Sequence, residues 1–216
     1  MRPVSFPVVH ELDGWDLFWV RLAAIPGKDE ELAALRLTAG GRARSAFTVE
    51  SLSPHPTVAA LRGLFRAAGC DPTRYRPSSE ALLRRVLKGE DLPAIHPFVD
   101  LNNCFSMALA VPCCVVGEGS FTPPVVLRAG KAGESYESLR GPFNLEGKPL
   151  LADAAGPFGT PITDSQRVKV TEGTRRAWMV AYLPCGVVTP EVAAEALGEL
   201  LAAAPVAEIE ETGVSR

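Results

Sequence analysis

The spacing of apolar and polar residues changes several times along this chain, and each change marks an element. Residues 15–25, WDLFWVRLAAI, carry large apolar side chains at both odd and even positions. Neither face is wholly polar, which predicts a strand covered on both sides. Residues 4–10 are also β-rich, and Asp13-Gly14 between the two stretches predicts a hairpin. The period then lengthens. Residues 28–38 read as a helix with acids in its first turn, ended by Gly40-Gly41. Residues 56–68 place Val58, Leu61, Leu64, Phe65 and Ala68 on one helical face, with Gly69 as the stop. A third helix, SEALLRRVLKG, is predicted with Ser78 as its cap, Glu80 in the first turn and Gly89 closing it.

The stretch 96–117, HPFVDLNNCFSMALAVPCCVVG, is predicted to run from a small-residue helix through a stop at Pro112 into a short strand. Polar groups at the mouth of that unit (Asp100, Asn102, Asn103) suggest a pocket wall. Strands are expected at 124–129, 149–153 and 176–183. GKAGESYESLRG reads as a turn and connecting segment, and residues 154–174 as a long loop rich in glycine, proline and hydroxyls. Loops of that length inside a domain usually carry function. Thr189-Pro190-Glu191 opens a helix that buries Ala193, Ala196, Leu197, Leu200 and Leu201. The acidic tail from Pro205 is expected to fray. No repeat or linker divides residues 1–216, so the expectation is one α+β domain.

Composition narrows the function. The 216 residues carry a formal charge of -3, so no global basic field points to nucleic acid. Locally the balance differs: residues 60–90 hold seven cations (Arg62, Arg66, Arg74, Arg76, Arg84, Arg85, Lys88) against three acids (Asp71, Glu80, Glu90), or +4. That excess is either a solvated helix face or a surface for a phosphate backbone. The five cysteines are irregularly spaced, and adjacent Cys113 and Cys114 make no zinc knuckle. They read as reduced thiols. With no leader pattern at residues 1–9 and no apolar run of membrane length, the expectation is a cytoplasmic protein without membrane contact.

No standard catalytic signature occurs: no GxSxG, HExxH, GxxxxGK[ST], or GxGxxG after a strand. No cofactor or metal is expected. A dyad of His96 and Cys114 is geometrically open but unspecified. Thr163, Asp164, Ser165 and Arg167 sit together in the long loop, where they bind a polar group or satisfy loop backbone.

Three ordered stretches carry a resemblance: HPFVDLNN, then LRAGKAGE, then ADAAGPFG continuing to VTEGT. In that order they resemble the B3/B4 domain of the phenylalanyl-tRNA synthetase beta subunit, and more closely the free-standing proteins made of that domain, over about residues 55–185. The resemblance implies a layered β/β/α fold. It further implies a pocket that removes a wrong amino acid from tRNA, here acting in trans. Hydrolysis of that kind needs a positioned water and no covalent nucleophile. By the resemblance, Asp100, Asn103, Pro112, Cys113, Cys114, Thr163, Asp164 and Ser165 bind the substrate, with Asn103 and Asp164 holding the amino acid. The 62–88 cations would meet tRNA phosphates. Two departures stand out: Cys114 takes the place of the synthetase's pocket histidine and Val180 that of its glutamate. The alternative is a non-catalytic binder of tRNA, or of an amino-acid-like ligand, reusing the pocket.

Overall fold

The structure, a computed structural model, describes residues 8–216. Its elements in chain order begin with β1 (Val8–His10), β2 (Trp15–Ala24), α1 (Asp29–Ala46), α2 (Val49–Leu52), α3 (Pro56–Ala67) and α4 (Ser78–Leu87). There follow α5 (Pro97–Leu109), β3 (Cys113–Gly117), β4 (Val125–Ala129), β5 (Ser135–Ser138) and β6 (Gly141–Asn144). The chain closes with β7 (Pro149–Asp153), β8 (Gly156–Gly159), β9 (Arg176–Pro184), α6 (Pro190–Ala203) and β10 (Ala207–Ser215).

Strand β2 explains the layering. It lies inside the antiparallel sheet β10-β2-β9-β3. On one face Phe18, Val20 and Leu22 join Leu35, Leu83, Leu101, Phe105 and Leu197 in a core under α1, α4, α5 and α6. On the other, Leu17 and Trp19 meet Val125, Leu127, Leu151 and Phe158 of a second sheet, β1-β4-β7-β8. The layers are therefore sheet, sheet, helices: an α+β fold of the β/β/α type. A strand buried on both faces cannot afford a polar side, which is why the 15–25 pattern shows none.

Several expectations change. The stretches around Asp13-Gly14 form no hairpin: β1 pairs in parallel with β4, in the other sheet from β2. Residues 4–7 of the first predicted strand lie outside the described residues. Helix α1 runs through Gly40-Gly41 to Ala46, because Gly40 is buried where α1 meets α4; a Cβ there would stand 4.0 Å from a Val86 methyl. Helix α4 starts from Pro77 with no side-chain cap, so Ser78 is its first helical residue. The connecting segment 130–141 contributes β5, paired with β6. The tail does not fray: β10 pairs with β2 along its length, and Trp19 Nε1 donates to Ser215 Oγ at 2.9 Å. Its acids are used there, since Glu210 and Glu211 pair with Arg21 at 3.1 and 3.0 Å. No helix among the described residues is long and apolar enough to cross a membrane.

Candidate functional site

Strand β3 is the edge of one sheet and β8 the edge of the other, and the 160–175 loop closes the gap between them. The loop is held at both ends. Thr160 Oγ1 accepts from the amides of Ile162 (3.2 Å) and Thr163 (3.0 Å) and donates to the Thr163 carbonyl at 2.6 Å. Tyr136 Oη of β5 donates to the same carbonyl at 2.6 Å. The Ser165 amide donates to the Phe158 carbonyl, and Arg167 forks onto Asp153 at 2.9 and 3.1 Å. At the far end, the Thr171 amide donates to Thr174 Oγ1 and the Thr174 amide to the Thr171 carbonyl, each at 2.8 Å, while His96 caps α5 by accepting the Phe98 amide.

This closure brings three groups together around one glycine. A Cβ built on Gly159 would lie 3.3 Å from Asp164 Oδ1, 3.4 Å from Tyr182 Oη and 3.7 Å from Cys114 Sγ. A carboxyl, a phenol and a thiol thus converge on one glycine, and the lack of a side chain there lets them approach it closely. Cys114 Sγ and Tyr182 Oη are themselves 3.9 Å apart. Asp164 Oδ1 is sealed from solvent and has no hydrogen-bond partner. A buried, unpaired carboxyl oxygen is costly, and native structures seldom keep one without a use.

Burial sets the charge of the cluster. It raises the Asp164 pKa to about 8, opposed only by a hydrogen bond from the Thr160 backbone. Burial likewise drives the Cys114 thiol, the Tyr182 phenol and the Tyr136 phenol upward, with Asp164 adding to each. At neutral pH the cluster is mostly uncharged. Cys114 is a thiol and not a thiolate, so it is a poor nucleophile. No histidine hydrogen-bonds to it among the described residues, and the His96–Cys114 dyad does not form.

The structure divides the remaining predicted residues. Cys113 faces the helical core and Cys114 the space between the sheets, as alternation along β3 requires. The Pro112 carbonyl accepts the Tyr182 amide at 2.9 Å. Thr163 and Ser165 hold loop backbone, by the bonds above and by Ser165 Oγ accepting the Arg167 amide. Asp100 lies apart, in the helical layer. It is 3% exposed, pairs with Arg36, and accepts the Ile95 amide at 3.0 Å, so it ties α1 to the start of α5. Asn103 is half-buried on α5. Its neighbour Asn102 is the buried one, donating to the Cys113 carbonyl at 3.4 Å with its Oδ1 unpaired.

The cations of 62–88 are also divided. Glu80, fully buried, accepts from Arg62 through both oxygens at 2.9 Å and from Arg84 at 2.9 Å, with Arg76 at 3.9 Å. Arg85 pairs with Glu90. Arg66, Arg74 and Lys88 are exposed and form no ion pair among the described residues. Much of the counted excess is therefore internal bracing around one glutamate.

Sequence reasoning missed Gly159, Thr160, Tyr136 and Tyr182. Only Tyr182 had a visible signal: it stands two residues beyond Val180 on the same strand face.

Taken together these features define a layered β/β/α protein with a buried polar cluster where a loop closes the edge between its sheets. The chain belongs to the B3/4 domain family, which matches residues 60–191, well over half of it. Among solved structures it is similar to an N-terminal fragment of the phenylalanyl-tRNA synthetase beta-subunit from Pyrococcus horikoshii. That similarity has a TM-score of 0.46 and 13% identity. It covers 99% of this chain and 53% of the fragment, so the chain spans about half of that fragment's length. Comparison with curated proteins gives no match.

Proposed function

We propose that this protein is a tRNA-associated hydrolase that removes amino acids wrongly esterified to tRNA, with its pocket at the Asp164–Tyr182–Cys114 cluster. The observation that carries the reading is the convergence of those three groups on Gly159, with Asp164 Oδ1 buried and unpaired. Membership of the B3/4 family brings tRNA into it. Asp164 is the acid–base group. With a pKa of about 8, Asp164 is mostly protonated at neutral pH; the carboxylate fraction present there takes the proton of the attacking water and is a far stronger base than an ordinary aspartate. Tyr182 and Cys114, both neutral, orient that water or the ester without attacking it.

Single-turnover deacylation across a panel of mischarged tRNAs tests the reading. Wild type is expected to exceed background hydrolysis for at least one pair, and Asp164→Asn to lose about 100-fold or more. Retained activity in Asp164→Asn removes Asp164 from the mechanism. No acceleration with any tRNA sinks the hydrolase and leaves the non-catalytic binder, a reading favoured by the apolar Val180 lying directly beside Cys114.

A further inference from the structure

A cavity of about 340 Å³ opens between the end of β3 at Gly117–Ser120 and the turn from Lys169 to Arg176. We infer that this cavity holds a phosphate of the RNA: the 5′ phosphate of the terminal nucleotide whose ester end reaches the Asp164 cluster. The inference rests on the reading above for its ligand, but on different residues.

Charge is the first ground. Lys169 and Arg175 are exposed at the cavity wall, and neither forms an ion pair among the described residues. Arg175 has one hydrogen bond, from Nη1 to the Glu172 carbonyl at 3.0 Å, which leaves most of its guanidinium donors free. The other charges there have partners: Arg176 is paired with Glu210 at 2.9 Å, and Glu118 with Arg21 at 3.5 Å. Two uncommitted cations on a concave wall suit an anion, and guanidinium suits phosphate oxygens in particular. The volume falls within the range of small-ligand sites.

Position is the second ground. One loop supplies Asp164 at one end and Arg175 at the other, and both ends flank β3. From Cys114 to Gly117 is three residues of extended chain, about 10 Å. An amino acid esterified to a 3′-terminal ribose is separated from that nucleotide's own phosphate by the sugar alone, a span of the same order. Loop anchoring keeps the two ends in register, since Thr160–Thr163 fixes one and the Thr171–Thr174 turn the other.

The test uses an uncharged RNA hairpin with a 3′ CCA end, followed by fluorescence anisotropy across a salt series. Lys169→Glu and Arg175→Glu are each expected to weaken binding about 5- to 10-fold and lower the salt slope by about one. Arg42→Glu, an exposed cation on α1 away from the cavity, changes net charge equally and serves as the control. A hairpin lacking the terminal nucleotide is expected to bind wild type and both variants alike, while inorganic phosphate and adenosine monophosphate report whether the cavity takes phosphate without RNA. Thermal melts check that each variant is folded. The inference is overturned if the reversals match Arg42→Glu, if the shortened hairpin keeps their effect, or if wild type binds no hairpin. Reversal-sensitive binding without any deacylation would instead sink the hydrolase and leave this site standing. Intact deacylation with unchanged KM in both reversals would do the opposite.

Discussion

Cys114 stands directly across the β3–β9 ladder from Val180, and both side chains enter the space between the two sheets. By the resemblance, these are two of the positions at which the chain departs from the synthetase pattern, the turn at 160–165 being another. Cys114 and Val180 form one cross-strand pair on one wall of that space. Tyr182, next on that face, and Asp164, from the closing loop, bring the hydrogen-bonding groups there.

Gly159→Ala separates site from scaffold. Its backbone is not in the left-handed region, so alanine adds no backbone strain, but the new methyl would sit 3.3 to 3.7 Å from Asp164, Tyr182 and Cys114, which must give by a few tenths of an ångström. Stability is expected to change by less than about 1.5 kcal/mol, as for a small volume change. Deacylation is expected to fall by more than 10-fold, because the methyl occupies the point where a reacting group must lie. Equal activity in the alanine variant would move the site elsewhere.

The Asp164 carboxyl ties stability to pH with a definite sign. Its pKa is about 8 when folded against 3.8 for a free aspartate, so the folded chain holds a proton that the unfolded chain has lost between those values. Stability from this group is full below about pH 4, falls as pH rises through the window, and levels off above about pH 8. Asp164→Asn cannot ionise and is expected to lose that slope, becoming more stable than wild type at pH 8 by roughly 2 kcal/mol. Urea midpoints at pH 5 and pH 8 for both proteins measure it. Parallel pH dependences would show that the carboxyl is not buried as described.

Much of the fold was legible because burial leaves a period. The two-faced apolar run of β2 announced a strand between two layers, and the alternation through Val180 and Tyr182 fixed which side each faces. What the sequence hid was long-range pairing. Asp13-Gly14 has the chemistry of a hairpin turn, but β1 finds β4 over a hundred residues later, and no local signal encodes that choice. The cluster was half visible for the same reason. Asp164 drew attention in the long polar loop and Cys114 through the resemblance, while Gly159 matters only through what surrounds it in space.

Glu80 illustrates how a charge count misleads. Reading seven cations against three acids assigns the arginines to a surface, but Arg62 and Arg84 each donate to a glutamate with no exposure at all. Glu80→Ala leaves these guanidiniums facing each other at a buried position and is expected to cost about 3–5 kcal/mol. Chemical denaturation of Glu80→Ala checks this, with Arg85→Ala as the comparison. Arg85 pairs with Glu90 at the surface, so its loss is expected to cost about 1 kcal/mol or less. A ranking in the other order would mean that Glu80 is not the brace.

Lys148 is another buried charge and an unusual one, being only 3% exposed and without a carboxylate partner among the described residues. Its Nζ sits 3.9 Å over the Tyr75 ring and 5.5 Å from Phe143, and its hydrogen bonds, to Asn144 Oδ1 and the Glu146 carbonyl, are long at 3.5 and 3.4 Å. Burial lowers its pKa from 10.5. The folded chain therefore gives up this proton more readily than the unfolded one, and stability from this position rises with pH until the free value is passed. Lys148→Met keeps the aliphatic stem packed and removes the charge, so it is expected to be neutral or stabilising by up to about 2 kcal/mol at pH 7. That advantage should shrink toward pH 10.5. Tyr75→Ala does the reverse, leaving the ammonium without the ring face that faces it, and is expected to cost about 2 kcal/mol or more. In the double variant the penalty of Tyr75→Ala should be smaller than in the single, by the share that belonged to the cation. Thermal melts of the four proteins at pH 7 and pH 10 close the cycle, and an unchanged Tyr75→Ala penalty would assign the ring to packing alone.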